Sequence, residues 1–359
     1  VGSLLSESLR DDFVSSIKNE YAELRDNYKN RQLNTDLLTI DAARQRGFKI
    51  DWSDYEPAQP KFIGIQVFED YDLKELRNYI DWTPFFSTWE IKGRYPSVFE
   101  SKKWGDAAWK LYEEANKLLD RIIDEKLFTA KAVFGLFPAN SVGDDIEVYA
   151  DQDRTTVAYL LNHLRQQQDK TSGKANACLA DFIAPKSSGL SDYIGAFTVT
   201  AGHGVDQLAK QFEADHDDYN SIMTKALADR LAEAFAERLH QRIRTEFWGY
   251  AADEKLENDD LISESYQGIR PAPGYPACPD HSEKTKLFDM LSTTANIGVE
   301  LTESYAMTPA ASVSGWYFAH PDAFYFGIGK INQSQLDDYA QRKSESKELV
   351  KRLLSPSLV

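Results

Sequence analysis

The segment Tyr266-Gln267-Gly268-Ile269-Arg270-Pro271-Ala272-Pro273-Gly274-Tyr275-Pro276-Ala277-Cys278-Pro279 holds the most unusual chemistry in this sequence of 359 residues. Its four prolines fix φ near −65° and lack an N–H, which predicts a stiff, extended, non-helical stretch. Arg270 opens it with a planar fork suited to one carboxylate or phosphate, and Gly274 admits a positive φ or a close approach. Stiffness of this kind lowers the entropy lost when a ligand lies along the chain. A Pro-rich connector with a solvated Arg fits the same composition.

Three other clusters stand out. In Asn78-Tyr79-Ile80-Asp81-Trp82-Thr83-Pro84-Phe85-Phe86 a single carboxylate sits among aromatics, where an unpaired charge is costly. Asp81 must therefore cap a helix, pair with a cation or bind a ligand's hydroxyl or ammonium. Asp229, Glu233 and Glu237 fall at i, i+4 and i+8 of a helical pattern, an acidic stripe that is either a solvated face or the lining of a cleft for a positive ligand. Ser314-Gly315-Trp316-Tyr317-Phe318-Ala319-His320-Pro321-Asp322 leads into Phe324-Tyr325-Phe326. Such aromatic strands form core, although a Tyr at a strand's mouth can cover a heterocycle or cation.

Other chemistries are missing. There is no GxGxxG after a strand, no P-loop, no HExxH and no GxSxG elbow. The six His residues lack ligand spacing, and Cys278 with His281 makes two ligands without companions, so no metal site and no self-contained catalytic set is expected. Asp144-Asp145 beside Gly143 reads as a turn and strand start.

Composition sets the wider limits. Hydrophobic residues at 42% and charged residues at 27% suit a chain with a substantial core. A net charge of −16 repels phosphate backbones and anionic bilayers, arguing against nucleic-acid and membrane partners. Two cysteines a hundred residues apart give no disulfide framework and fit a reducing cytoplasm. No apolar run approaches the ~18 residues of a membrane span. The sequence opens Val-Gly-Ser without Met and reads as a piece of a longer protein.

These residues need elements to position them. Phe13, Ile17, Tyr21 and Leu24 predict an amphipathic helix whose stripe must rest on a core, followed by an extended leader from Lys29 to Thr39. Helices are expected over 105–127, 154–168 and 219–244, the last capped by Asp217 or Asp218. Strands are expected at Ala132–Phe137, Ile146–Tyr149, Cys178–Ile183, Tyr193–Thr200, Val299–Tyr305, Ser314–Phe318 and Phe324–Ile328, the last three as an antiparallel meander. Without strict βαβ alternation the fold class is α+β.

Together DWTPFF (81–86), GLFPANSVGDDI (135–146), CLADFIAP (178–185), DYIGAFTVT (192–200), HDDYNSIMTKALADRLAEAFAE (216–237), GIRPAPGYPACPDH (268–281) and ASVSGWYFAHPD (311–322) resemble the C-terminal activation domain of cobalamin-dependent methionine synthase. The resemblance runs in order from about residue 30 to the end. It implies a C-shaped α+β domain with a mixed or antiparallel twisted sheet and flanking helices at 29–359. Residues 1–28 would be a helical linker, the tail of a preceding cobalamin-binding domain.

The resemblance also implies a function. Members of the family bind S-adenosylmethionine; flavodoxin or a related flavoprotein reduces oxidised cobalamin on the neighbouring domain, and the bound donor remethylates it. The family's RxxxGY element falls on Arg270, Gly274 and Tyr275, with Ala272 between them. Its acidic ligand residue falls on Asp81, its tyrosine on Tyr325, and a position on the cleft-facing helix on Glu233. Phe326 stands where some relatives have a second Tyr. Arg270 would take the carboxylate, Asp81 or Glu233 the ammonium or a hydroxyl, Tyr325 the ring or sulfonium, and backbone at Ala272 and Gly274 the adenine edge. The cobalamin motif DxHxxG and the zinc cysteines are absent, so cobalamin and zinc belong to other domains. The chain is expected to be a cytoplasmic monomer that binds the methyl donor without turning over methionine. Two competing readings are a flavoprotein-docking module without small-molecule binding, and a hydrolase using Asp81, Asp144 or Asp181.

Overall fold

The computed structural model describes residues 2–6, 8–33, 37–170 and 173–359, with 27–33 described by backbone alone. Chain contacts divide them into two compact units. One comprises Lys49–Leu164 and Cys178–Gly327, the other Val1–Phe48, Arg165–Ala177 and Ile328–Val359.

The larger unit is built on an antiparallel sheet of β1 (Gly64–Tyr71), β2 (Thr129–Val142), β3 (Asp145–Tyr149), β4 (Val157–Asn162), β5 (Asp192–His203) and β6 (Ser312–Tyr317). Its path is β4-β3-β2-β5-β6. The long β2 pairs β1 through its first half (Val133 opposite Val67) and β3 through its second (Ala139 opposite Val148). Phe134 faces Phe197 on β5, which faces Gly315 on β6. With helices grouped around an antiparallel sheet, the fold is α+β.

Three helices position the site: α1 (Trp82–Thr88), α2 (Gly105–Asp124) and α3 (Asp218–Arg242). Asp81 caps α1, accepting from the Thr83 N–H at 2.9 Å, and Asp217 caps α3, accepting from Asn220 N at 3.0 Å. The α2 pattern produces the expected helix, burying Ala108, Leu111, Ala115, Leu119 and Ile122. On α3, Leu227, Leu231, Phe235 and Leu239 are fully buried, each worth about 1.5–3 kcal/mol relative to exposure. Ala226, Ala228, Ala232, Ala234 and Ala236 are buried as well, so α3 has no wide solvated face, and Glu237 of the acidic stripe lies inside.

Several expectations fail for local reasons. The apolar spacing over 154–168 fits a helix, yet Val157–Asn162 is a strand, with Leu161 opposite Ile146 and Tyr159 opposite Val148. A short apolar run satisfies both periods, and here cross-strand pairing decides. Cys178–Ile183 forms a 3-10 turn at Leu179–Phe182 because the Asp181 carboxylate accepts the Cys178 N–H at 2.9 Å, a local bond that competes with a strand. The C-terminal meander does not form. β6 pairs β5, Glu300–Leu301 pairs only Met307–Thr308, and Phe324–Ile328 is irregular. Strand β1 was not anticipated.

In the smaller unit the first long helix runs Arg10–Leu33, so the extended leader is helical up to Leu33; its residues 34–36 lie outside the described residues. Lys29-Asn30-Arg31-Gln32-Leu33 contains no Gly or Pro to stop a helix. Phe13, Tyr21 and Leu24 are exposed, so no core of this unit covers the stripe. Its three segments are joined by side-chain amides. Gln167 donates to the Leu38 carbonyl at 2.8 Å and accepts from Asn332 N at 3.0 Å and Gln335 Nε2 at 2.9 Å.

Candidate functional site

The proline-rich stretch lies along β6. Ile269 and Phe318 exchange backbone hydrogen bonds at 3.0 Å, and Trp316 N donates to Pro271 O at 2.9 Å. Prolines cannot continue such a ladder, so the chain leaves the sheet after Pro271 and turns: Tyr275 N donates to Ala272 O at 3.1 Å, and Gly274 N to Cys278 O at 2.7 Å. Gly274 sits at φ +93°, and a Cβ there would come within 2.4 Å of the His281 ring. Gly274→Ala is therefore expected to lower stability by about 1–3 kcal/mol. A denaturant melt with an unchanged midpoint would contradict this.

Arg270 is the centre of the site. Its Nη2 pairs with Glu237 Oε2 at 2.7 Å and its Nη1 donates to Tyr266 Oη at 2.9 Å. Its backbone N–H donates to Tyr325 Oη at 3.0 Å. Burial opposes its charge, but Glu237 and the hydroxyls of Tyr266 and Tyr325 outweigh it and hold the guanidinium charged. The same burial, with Arg244 and Arg270 beside it, pushes the His240 imidazole well below its usual value and leaves it neutral. His240 stacks on Tyr317 at 5.1 Å and meets Tyr266 edge-on at 4.8 Å.

Beneath these groups, α3 continues into a π turn, Ile243–Phe247, carrying Arg244. Arg244 is fully buried, paired with both oxygens of Glu254 at 2.8 Å, and lies over the Tyr266 ring at 4.2 Å. Tyr266 is thus held by one arginine and holds the other.

Two cavities open around Arg270. The first, about 500 Å³, is lined by Glu233, Glu264, Arg270, Ala272, Tyr275, Tyr325 and Phe326, within the size range of small-ligand sites. The second, about 380 Å³, shares Glu233, Glu264 and Arg270 and adds Asp81 and Glu237. The two cavities therefore bring together every residue that the resemblance assigned to the donor except Gly274, which shapes the turn behind them; Asp229 of the acidic stripe lines neither. Asp144 and Asp181 line neither cavity, so the three acids of the hydrolase reading are not gathered there. Among the described residues no group of three or more His, Cys, Asp or Glu could hold a metal.

Glu264 and Tyr266 were missed as site residues, and Glu237 was named only within the acidic stripe. Glu237 is 7% exposed, and its Oε1 has no hydrogen-bond partner among the described residues, a buried half-satisfied acid beside the cavity. Burial raises the Glu264 carboxyl above its usual pKa. Their only sequence signal was position, Glu237 one turn beyond Glu233 and Tyr266 four residues before Arg270.

Residues 72–344 match the family model of the vitamin B12-dependent methionine synthase activation domain. The chain belongs to that family. A crystal structure of the MetH reactivation domain bound to AdoHcy is 54% identical, covers 90% of this chain and 99% of that one, and superposes with a TM-score of 0.88. This activation domain is thus part of a cobalamin-dependent methyltransferase. Among its described residues no helix is long and apolar enough to cross a membrane.

Proposed function

We propose that the activation domain binds S-adenosylmethionine in the Arg270 cavity and presents the sulfonium methyl to the cobalt of cobalamin held by a neighbouring domain. The observation that carries this reading is the pairing of that cavity with a close relative that holds the demethylated donor. Residues 1–28 would be the link to the neighbouring domain, 29–359 the donor-binding part, and flavodoxin or a related flavoprotein the electron source, in a cytoplasmic enzyme.

The site's residues suit each part of the donor. Arg270 is already turned and charged, and its fork accepts the donor's carboxylate at the cost of sharing it with Glu237. Asp81 and Glu233 offer oxygens to the ammonium or the ribose hydroxyls. The Ala272 N–H donates to no other group among the described residues, which leaves it for an adenine nitrogen. Tyr275 and Tyr325 supply aromatic faces at the sulfonium. Cobalamin would supply the nucleophilic metal. The domain's contribution is positioning, holding the methyl in line and excluding other geometries.

Calorimetric titration tests this. S-adenosylmethionine is expected to saturate the wild-type chain at one site. Tyr325→Phe, which removes the acceptor of the Arg270 N–H, is expected to weaken binding by about 1 kcal/mol, roughly fivefold. A wild-type titration without saturation would refute the assignment.

A further inference from the structure

Arg270 is gripped from two positions of one helix. Glu237 takes its Nη2 at 2.7 Å, and Nδ1 of His240, three residues on, stands 3.4 Å from its Nη1. At i and i+3 of α3 the two side chains share a face, so the helix itself fixes their separation. Tyr266 Oη takes the other Nη1 hydrogen at 2.9 Å. Of the five N–H donors of the guanidinium, the Nε–H and the second Nη2–H have no partner among the described residues. Those two donors match the two oxygens of a carboxylate.

A guanidinium only donates, so the imidazole accepts at Nδ1 and carries its single proton on Nε2. It can do so because it is neutral. His240 is wholly buried, and burial with Arg244 and Arg270 beside it keeps a second proton away. An imidazolium there would offer Arg270 no acceptor and would face two cations. Tyr317 of β6 stacks on the ring with 14° between the planes, and Tyr266 meets its edge at 83°, so the ring has little room to turn Nδ1 away. Among the described residues Nε2 has no hydrogen-bond partner, which leaves Arg270 as the one polar contact of this imidazole. His240 lines neither donor cavity, and whatever it does for a ligand passes through Arg270.

We propose that His240 is a positioning residue for the methyl donor: with Glu237 it clamps the two terminal nitrogens of Arg270, so that the remaining N–H donors of the fork meet the donor's carboxylate. The inference rests on the proposed function, in which that carboxylate lies against Arg270. A side chain needed only to fill the stack between Tyr266 and Tyr317 would gain nothing from two ring nitrogens, because a phenyl ring fills it without burying a polar atom. Without Nδ1, the Nη1 edge is held by Tyr266 alone, and the guanidinium plane can tilt about that single bond.

Two substitutions separate the acceptor from the packing. His240→Phe keeps a ring against Tyr317 and removes Nδ1, whereas His240→Asn gives up the ring and keeps an oxygen near the place of Nδ1. Two probes separate the carboxylate from the rest of the ligand: S-adenosylmethionine, and its decarboxylated form, which differs only in lacking that group. Each is titrated calorimetrically into the whole chain and both variants. His240→Phe is expected to weaken S-adenosylmethionine about tenfold and to leave the decarboxylated form within about twofold, while His240→Asn keeps S-adenosylmethionine within about threefold of the wild type. A ring that only packs gives the reverse order of the two variants and weakens both probes alike. Either of those results overturns the proposal, as does unchanged S-adenosylmethionine affinity in His240→Phe. Should His240→Asn fail to fold, the two probes on His240→Phe decide alone. A wild type that saturates beside an unaffected His240→Phe counts against His240 only, whereas a wild type that never saturates overturns the proposed function and this clamp with it.

Discussion

Replacing Arg270 by alanine is expected to reduce S-adenosylmethionine affinity by roughly 10- to 150-fold, the loss of a charge-assisted anchor worth about 1.5–3 kcal/mol. The same change strands Glu237, whose side chain is 9% exposed and which pairs with no other cation among the described residues. Breaking a buried pair from one side costs about 3–5 kcal/mol, so Arg270→Ala should also melt earlier. The two losses separate in Arg270→Ala/Glu237→Gln. Neutralising the stranded acid recovers most of the stability, whereas affinity stays low because no fork returns to the cavity. Calorimetry and thermal melts on the wild type and both variants read the two quantities independently. Wild-type affinity in Arg270→Ala would remove the residue from the site, and a double variant that regained affinity would show that the single loss came from misfolding.

What the sequence made legible depended on how local the physics was. The proline-rich stretch could be read because proline and glycine act through their own φ angles, and the turn at Gly274 depends on them. Helix α3 could be placed because its apolar period extends over 25 residues. The strand Val157–Asn162 could not be told from a helix, since six residues satisfy either period and only the partner strand decides. Glu237 was harder still. A stripe of acids at i, i+4 and i+8 shows which side of the helix they share but not how far a covering loop extends. In the fold Glu233 is exposed while Glu237, one turn on, is buried against Arg270. The pairing of Arg244 with Glu254 spans a π turn and a loop, and no spacing rule announces it.

That pairing leads to the second large effect. Glu254→Ala is expected to destabilise the domain by about 3–5 kcal/mol, because Arg244 is wholly buried and would keep its charge without a counter-ion. Its Nη1 already has no partner among the described residues, so the remaining hydrogen bonds give it no alternative. The damage should reach the ligand as well. Arg244 supports the face of Tyr266, and Tyr266 Oη accepts from Arg270 Nη1, so a displaced Arg244 loosens the fork that faces the donor. Replacing both members, Arg244→Met with Glu254→Met, removes the stranded charge while leaving an apolar support under the ring. The double variant should therefore recover stability, and with it most of the donor affinity. If Glu254→Ala melts like the wild type, Arg244 is reaching solvent or another acid, and the chain of support from Glu254 to Arg270 does not exist. If the double variant is stable but binds weakly, the cation over Tyr266, rather than mere packing, is what orients Arg270.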